Sequence, residues 1–307
     1  MFVIKYKKIF FLISVVTILT SIFSVIYFGL NFGIDFKGGS LLEVRFENEV
    51  PSFDELQSVL NQEKIGQFNL RSSGENSFML RTIPLDESQK ANLLKNMSME
   101  GRFEPIEERF NSIGPSVGDE LKDKAVIAII ITLIVIILFV AFAFRTVSKP
   151  VSSWMYGLVS VFALAHDIII PVGIFAFLGY SIGAEIDSLF VMALLAILGY
   201  SVNDTIIVFD RIRENLKLNQ EIHNKEQFDV TVGKSLNQTF ARSINTSFTT
   251  FVVLVALFIL GGEATKNFTL VLMTGIIAGT YSSIFLASPL LVFIQERKDR
   301  KLEKAQN

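Results

Sequence analysis

Six apolar segments dominate this 307-residue chain. A bilayer core is crossed by about 20 apolar residues in helical form, and candidate spans run roughly over 9–30, 125–144, 153–178, 188–209, 246–261 and 268–293. Half of the residues are hydrophobic and 19% are charged, whereas a soluble domain carries about 25% charged residues. The sequence therefore predicts a polytopic α-helical membrane protein with six transmembrane helices.

Composition and motifs exclude several classes of protein. Lys and Arg number 28 against 30 Asp and Glu, a net charge of −2 that argues against a basic nucleic-acid binder. The absence of cysteine excludes disulfides, zinc–thiolate sites, iron–sulfur clusters and thiol catalysis. The only histidines are His166 and His223, so no multi-histidine metal site is expected. The chain lacks P-loop, GxSxG and HExxH motifs. We therefore expect no enzymatic activity and no cofactor, and an ion gradient as the energy source.

Basic residues indicate the orientation in the membrane. They precede the first span, occupy the loops 145–150 (Arg145 and Lys149) and 210–245, and recur after the last span, whereas the short loops 179–187 and 262–267 hold only Lys266. The positive-inside rule then places both termini in the cytoplasm. The predicted organisation is an N-terminus with the first helix at 1–31, an extracytoplasmic domain at 32–124, helices two to six at 125–294, and a basic cytoplasmic tail at 295–307.

The extracytoplasmic segment has the pattern of a small α+β domain. Strands are predicted at 40–47, 68–72, 78–83 and 102–111, with a Gly74 hairpin between the second and third. One helix begins after Ser52, which forms a capping box with Glu55, and another covers 86–99. The order β-α-β-β-α-β is that of a ferredoxin-like domain. Within the last strand, 107–109 (Glu-Glu-Arg) is interpreted as a solvated edge.

An acidic residue inside the fourth span is the strongest functional signal. Ionisable groups within a span cost at least about 2.5–3.5 kcal/mol, so they are rare and usually functional. Asp204 lies before the basic flank of Arg211, and Tyr200 and Ala196 precede it at four-residue steps on a face expected to look into the bundle. The functional interpretation is a carboxylate that binds a proton. The alternative is a helix that ends early and leaves Asp204 hydrated.

A second polar stripe leads into the fifth span. Arg242, Asn245 or Thr246, and Thr249 recur at helical spacing. Arg242 is interpreted either as a basic anchor at the membrane surface or as a counter-charge for Asp204 or for a carboxylate of a partner.

Two further places combine apolar context with unusual residues. His166 and Asp167 lie side by side in the third span, where they form either a proton relay or a structural pair that packs helices. Gly275, Gly279 and Ser283 recur at four-residue steps in the sixth span, a small-residue face that permits close helix packing.

Five strings give the chain a recognisable pattern. They are GIDFKGG at 33–39 with Asp35, Gly38 and Gly39, GPSVG at 114–118 with Gly114 and Pro115, AHD at 165–167, GYSVNDTIIVFDRIREN at 199–215, and GTYSSI at 279–284. In these motifs the chain resembles the SecD/SecF family, membrane subunits of bacterial protein export within the RND transporter superfamily. The resemblance covers nearly the whole length.

The resemblance implies fold, partners and roles. It implies six spans with one extracytoplasmic domain after the first, in the bacterial inner membrane. It implies a heterodimer with SecD that works beside the SecYEG channel and YajC. The pair would use the proton motive force to pull unfolded polypeptide outward after SecA has driven it, with no role for nucleic acid. Asp204 and Arg242 match the family's proton-pathway residues, and Tyr200, Asn203 and Asp210 belong to the same fourth-span motif, with possible relay or packing roles.

Two alternatives stay open from the sequence. The chain could be an assembly factor that stabilises the channel without transport, in which case Asp204 and Arg242 form a structural pair. It could also be half of an RND-type exporter of small molecules, although such pumps usually carry larger external domains than 32–124.

Overall fold

A computed structural model describes residues 2–63, 65–144, 151–224 and 226–306. Within these ranges six helical stretches are long and apolar enough to cross a membrane. A short helix, α1 (Phe2–Lys5), comes first. The six stretches are here called the first to sixth spans: α2 (Lys7–Phe28), α6 (Pro115–Ala143), α7 (Ser153–Ser181), α8 (Ser188–Glu221), α9 (Phe228–Leu260), and a sixth stretch, Thr265–Lys304. The sixth lies within three consecutive elements: α10 (Glu263–Tyr281), a π-helical turn (Ser282–Ala287) and α11 (Ser288–Gln306). The predicted basic loop with Arg145 and Lys149, and Lys225, lie outside the described residues.

Two helices are longer than the apolar pattern predicts. The fourth span continues to Glu221 instead of ending near 209, and the fifth begins at Phe228 instead of near 246. The apolar pattern ends where a helix leaves the hydrocarbon core of the bilayer, but the backbone hydrogen bonds of the helix can continue beyond that point. The polar extensions are fastened together by amides: Asn215 Nδ2 donates to Ser235 Oγ over 2.8 Å, and Asn219 Nδ2 donates to Thr231 Oγ1 over 3.1 Å.

The chain divides into two compact units, of which one holds the membrane helices at 1–31, 127–185 and 189–307. Its first and third spans pack closely, because Gly173 lies against Ser21 and its carbonyl accepts a 2.7 Å hydrogen bond from Ser24 Oγ. A core of buried apolar side chains joins the third, fourth, fifth and sixth spans at one end, including Tyr156, Phe209, Val232 and Leu291.

The second unit covers 32–126 and, in addition, 186–188, a short segment that the sequence did not assign to the domain. Its described elements are α3 (Ile34–Lys37), β1 (Gly39–Phe46), α4 (Phe53–Gln62), β2 (Asn69–Ser72), β3 (Ser77–Thr82), α5 (Glu87–Met97) and β4 (Pro105–Ile113). The described strands pair antiparallel in the order β2-β3-β1-β4. The core between the sheet and α4 and α5 contains Leu42, Val44, Phe46, Leu56, Leu80 and Met97.

Local signals that the sequence displays are present in this unit. The capping box of Ser52 and Glu55 begins α4, and the two hydrogen bonds from Ser52 hold the pKa of the Glu55 carboxyl below its usual value. Asp86 forms a second capping box at α5 that was not predicted. β4 lies at the sheet edge, where Glu107 and Glu108 are exposed and form ion pairs with neighbouring basic side chains.

The GIDFKGG and GPSVG strings meet within this unit. Gly38 and Gly39 have φ values of 74° and 136°, and a Cβ on Gly38 would lie 2.9 Å from the backbone of Pro115. Gly114 precedes Pro115, which begins α6. The Asp35 carboxylate accepts a 2.9 Å hydrogen bond from the backbone N–H of Ser188. The local role of Gly38 is therefore to permit close backbone packing against Pro115, and that of Asp35 is to cap the N-terminus of α8.

Candidate functional site

Asp204 lies in the middle of the fourth span, fourteen residues beyond Phe190 and well before the helix ends at Glu221. The alternative of an early helix end is therefore wrong. The residue is 6% exposed, and its Oδ1 accepts a 2.7 Å hydrogen bond from Ser243 Oγ in the fifth span. Its Oδ2 is buried without a hydrogen-bond partner among the described residues. The structure thus places a carboxylate inside the bundle that is held by the Ser243 hydroxyl and lies close to that of Ser283.

A second buried carboxylate lies in the third span. Asp167 is fully buried, and His166 Nδ1 lies 2.9 Å from its Oδ1. Two serine hydroxyls donate to Oδ2: Ser201 from the fourth span, and Ser282 from the sixth span over 2.7 Å. The carboxylate therefore cross-links three spans, and His166 stacks against Tyr281 with ring centroids 5.9 Å apart.

The π-helical turn brings both carboxylates to one place. Ser282 donates to Asp167, and the next residue, Ser283, lies 3.2 Å from Thr205 Oγ1 beside Asp204. Asp167 and Asp204 are close enough to interact electrostatically. π-Helical turns inside α-helices occur frequently at functional sites, because they alter which side chains share a face.

The small-residue face of the sixth span packs against the fourth span. A Cβ on Gly275 would overlap the side chain of Ile197, and a Cβ on Gly279 would lie 3.1 Å from that of Ser201. Ser283, the third member of this face, is fully buried and donates to the Gly279 carbonyl over 2.7 Å. The face therefore sets the approach of the helices and also contributes a hydroxyl to the carboxylate network.

Arg242 does not lie against Asp204. Its side chain is exposed, and within the described residues it has no acidic partner. The neighbouring Ser243 occupies the position that a counter-charge would need. The rest of the predicted stripe, Asn245, Thr246 and Thr249, is exposed as well.

The predicted face of the fourth span is rotated in the structure. Asp204 is buried, but Tyr200 is half-buried and Ala196 is exposed, because steps of four residues drift by about 40° each from the helical repeat. Tyr200 Oη lies 3.4 Å from Ser247 Oγ. Asn203 is exposed, and Asp210 is exposed and paired with Arg213 at 3.6 Å. Neither is part of the buried network.

Sequence reasoning missed the hydroxyls of this site: Ser201, Thr205, Ser243 and Ser282. A serine or threonine in an apolar helix is common, because it can donate to the carbonyl four residues earlier, and so its presence alone carries little signal. The one signal in the sequence is that Ser201 and Asp204 are three residues apart, a spacing that places both on the same side of a helix. In the part of the chain that the structure describes, no group of three or more His, Asp or Glu could hold a metal ion.

The buried carboxylates and six long apolar helices define a polytopic helical membrane protein with ionisable groups between its spans. Residues 93–297 match the family described as protein export membrane protein SecD/SecF, C-terminal, and residues 23–50 match the SecD/SecF GG motif. The chain belongs to the SecD/SecF family, and it is a subunit of the Sec protein translocase.

Individual relatives extend over nearly the whole chain. It is 40% identical to the protein translocase subunit SecF of Thermobaculum terrenum, over 94% of this chain and 92% of that protein. It is 36% identical to that of Sebaldella termitidis, over 98% and 97%. The crystal structure of SecDF, a translocon-associated membrane protein from Thermus thermophilus, superposes with a TM-score of 0.78 at 30% identity over 95% of this chain. The chain spans 38% of the length of that SecDF protein.

Proposed function

We propose that the chain works with SecD to convert the proton motive force into the late, SecA-independent stage of polypeptide export. The observation that carries this proposal is Asp204, a carboxylate buried between the fourth and fifth spans that accepts from the Ser243 hydroxyl and, among the described residues, pairs with no basic side chain. A buried carboxylate without a cation favours its neutral form, so it can take up and release a proton. No cofactor or metal is needed for this step, and no catalytic bond chemistry is assigned to the chain.

Protonation of Asp204 supplies a physical means to move helices. The ionised carboxylate holds Ser243 by a charge-assisted hydrogen bond, which is about twice as strong as a neutral one. Neutralisation weakens this link between the fourth and fifth spans and permits them to repack. Each charge that crosses about 100 mV yields about 2.3 kcal/mol, so a few protons per cycle suffice to drive a conformational change.

The exposed polar stripe of the fifth span supports a partner in the membrane. Arg242, Asn245, Thr246 and Thr249 are exposed in the single chain, and Asn203 is exposed on the fourth span. Polar side chains at this depth are seldom left facing lipid. We assign this face, here called the polar stripe, to SecD, with an acidic residue of SecD as the counter-charge of Arg242. SecDF relatives that are more than twice as long as this chain support a second set of spans.

A crosslinking experiment tests the polar stripe. The chain has no cysteine, so a single introduced cysteine is a unique attachment point. Thr246→Cys carrying a photoactivatable group is expected to form an adduct with SecD after illumination in membranes. The matched control is Phe139→Cys in the second span, an exposed apolar position at which labelling of lipid is expected instead. Equal yields of SecD adduct at both positions would contradict the assignment.

The wider assembly follows from the same proposal. The subunit pair acts beside SecYEG and YajC in the bacterial inner membrane, after SecA, with the termini of this chain in the cytoplasm. The α+β unit is then extracytoplasmic, and its antiparallel order β2-β3-β1-β4 supports a ferredoxin-like class. Unfolded polypeptide is assigned to this unit, where the edge strands β2 and β4 offer unpaired backbone groups for strand addition.

The experiment that tests the proposed function is export into membrane vesicles after SecA has been inhibited. Vesicles with and without the chain are compared, each with the proton gradient intact or collapsed by an uncoupler. We expect the contribution of the chain to disappear when the gradient is collapsed. An equal contribution under both conditions would instead favour an assembly factor that stabilises the channel.

A further inference from the structure

The third span contains a carboxylate that the proposed function does not use. Asp167 is fully buried, and it lies in the same bundle as Asp204. The titratable groups that face it among the described residues are His166 on its own helix, Asp204 on the fourth span, and Tyr281 on the sixth, which stacks with His166. No Lys or Arg in the described part of the chain pairs with either carboxylate.

Two neighbouring carboxylates in such a site are not both ionised at low cost. Like charges in a shared low-dielectric site disfavour one another's charged form, as does burial itself. Only one of the two, Asp167, has an adjacent group that can carry positive charge, the His166 imidazole. We therefore expect the site to hold at least one proton, which either Asp167 or Asp204 can bind.

Two serine hydroxyls of the π-helical turn lie between the carboxylates of Asp167 and Asp204, and each hydroxyl has more than one acceptor within reach. Ser282 Oγ lies 2.7 Å from Asp167 Oδ2 and 3.1 Å from the Gly279 carbonyl oxygen. Ser283 Oγ donates to the same carbonyl over 2.7 Å, and it is also close to Asp204, whose Oδ2 has no hydrogen-bond partner among the described residues. A hydroxyl has one proton to donate, so each serine serves one acceptor at a time.

We propose that Asp167 is a second proton-binding carboxylate of the gradient-driven step, and that Ser282 and Ser283 couple its protonation to that of Asp204. This inference rests on the proposed function of Asp204. When a proton binds to Asp167 Oδ2, that oxygen becomes a donor toward Ser201 Oγ, and Ser282 turns to the Gly279 carbonyl. This carbonyl oxygen can accept from both serines, but a second donor weakens the bond to the first. Ser283 therefore turns more readily from Gly279 to Asp204 Oδ2, where it stabilises the ionised form. Proton uptake at Asp167 thereby favours proton release at Asp204, and no other atom is transferred.

The test uses the pH dependence of gradient-driven export, which a purely structural role would not shift. Ser282→Ala removes one of the two hydroxyls that donate to Asp167 Oδ2, and with it the link between the two carboxylates. We expect the pH profile of gradient-driven export to shift. Ser283→Ala is expected to move the profile as well, because Asp204 then lacks its second donor. Both substitutions shorten a buried side chain, so co-purification with SecD is used to show that each variant is still assembled.

Ser288→Ala is the matched control, because Ser288 is fully buried in the same span and its hydroxyl has no partner among the described residues. A profile that shifts with Ser282→Ala but not with Ser288→Ala supports the inference. Equal shifts in both variants, or no shift in either, overturn the inference. The proposed function still stands in that case if Asp204→Asn abolishes the gradient dependence. If Asp204→Asn leaves gradient dependence intact, the proposed function fails and the inference falls with it.

Discussion

Asp204→Asn is expected to abolish the gradient-dependent part of export while leaving the SecA-driven part unchanged. Asparagine has nearly the same shape as aspartate and can still accept from Ser243 Oγ, but it cannot bind and release a proton. The variant therefore resembles a carboxylate held permanently neutral. Because the expected loss is that of the whole gradient-dependent component, this is the largest functional effect predicted for a single substitution.

The measurement is the vesicle assay with SecA inhibited, in which export is followed with the gradient intact and collapsed. Asp210→Asn provides the matched control, since Asp210 lies on the same helix but is exposed and paired with Arg213. Co-purification with SecD shows whether each variant is assembled. Gradient-dependent export that survives in Asp204→Asn, with the complex intact, would remove Asp204 from the proton path.

The sequence predicts the membrane architecture well because hydrophobicity acts locally. Each of the six spans was recognisable from its own residues, and so were the capping box at Ser52 and the order of strands in the α+β unit. The ends of the fourth and fifth helices were not recognisable, since their polar extensions are stabilised by side chains from each other. Asn215 and Ser235 are 20 residues apart, and no local pattern reports that contact.

The sequence predicted the carboxylates of the candidate site, but it did not predict the hydroxyl groups that donate hydrogen bonds to them. Asp204, His166 and Asp167 stand out because ionisable groups are expensive inside a span. On the fifth span two adjacent polar stripes exist, one through Arg242 and Thr246 and one through Ser243 and Ser247. Neighbouring residues on a helix are about 100° apart, so only the packing of the fourth span decides which stripe faces inward. The structure turns the serine stripe inward and leaves Arg242 exposed.

Close packing of the sixth span on the fourth leads to the second large prediction. Gly275→Ala is expected to destabilise the chain by about 1–3 kcal/mol, the usual cost of overpacking a core. The new Cβ would overlap Cδ1 and Cγ1 of Ile197 and lie 3.0 Å from its Cγ2, and Ile197 is itself only 1% exposed, so the whole side chain would have to shift within the core. The penalty outweighs the gain of about 1 kcal/mol that alanine has over glycine in a helix.

A double-mutant cycle isolates this contact. Ile197→Ala alone leaves a cavity and costs about 2–5 kcal/mol, whereas in combination with Gly275→Ala the added methyl group occupies part of that cavity. The double variant is therefore expected to be more stable than the sum of the two single losses, by about 0.5–3 kcal/mol. Thermal unfolding of the purified chain in detergent measures all four proteins. Gly199→Ala is the control, because a Cβ there meets no atom within 4 Å, and it should not be destabilising. Strictly additive losses would show that Gly275 and Ile197 do not touch, and that the sixth span does not approach the fourth through its small-residue face.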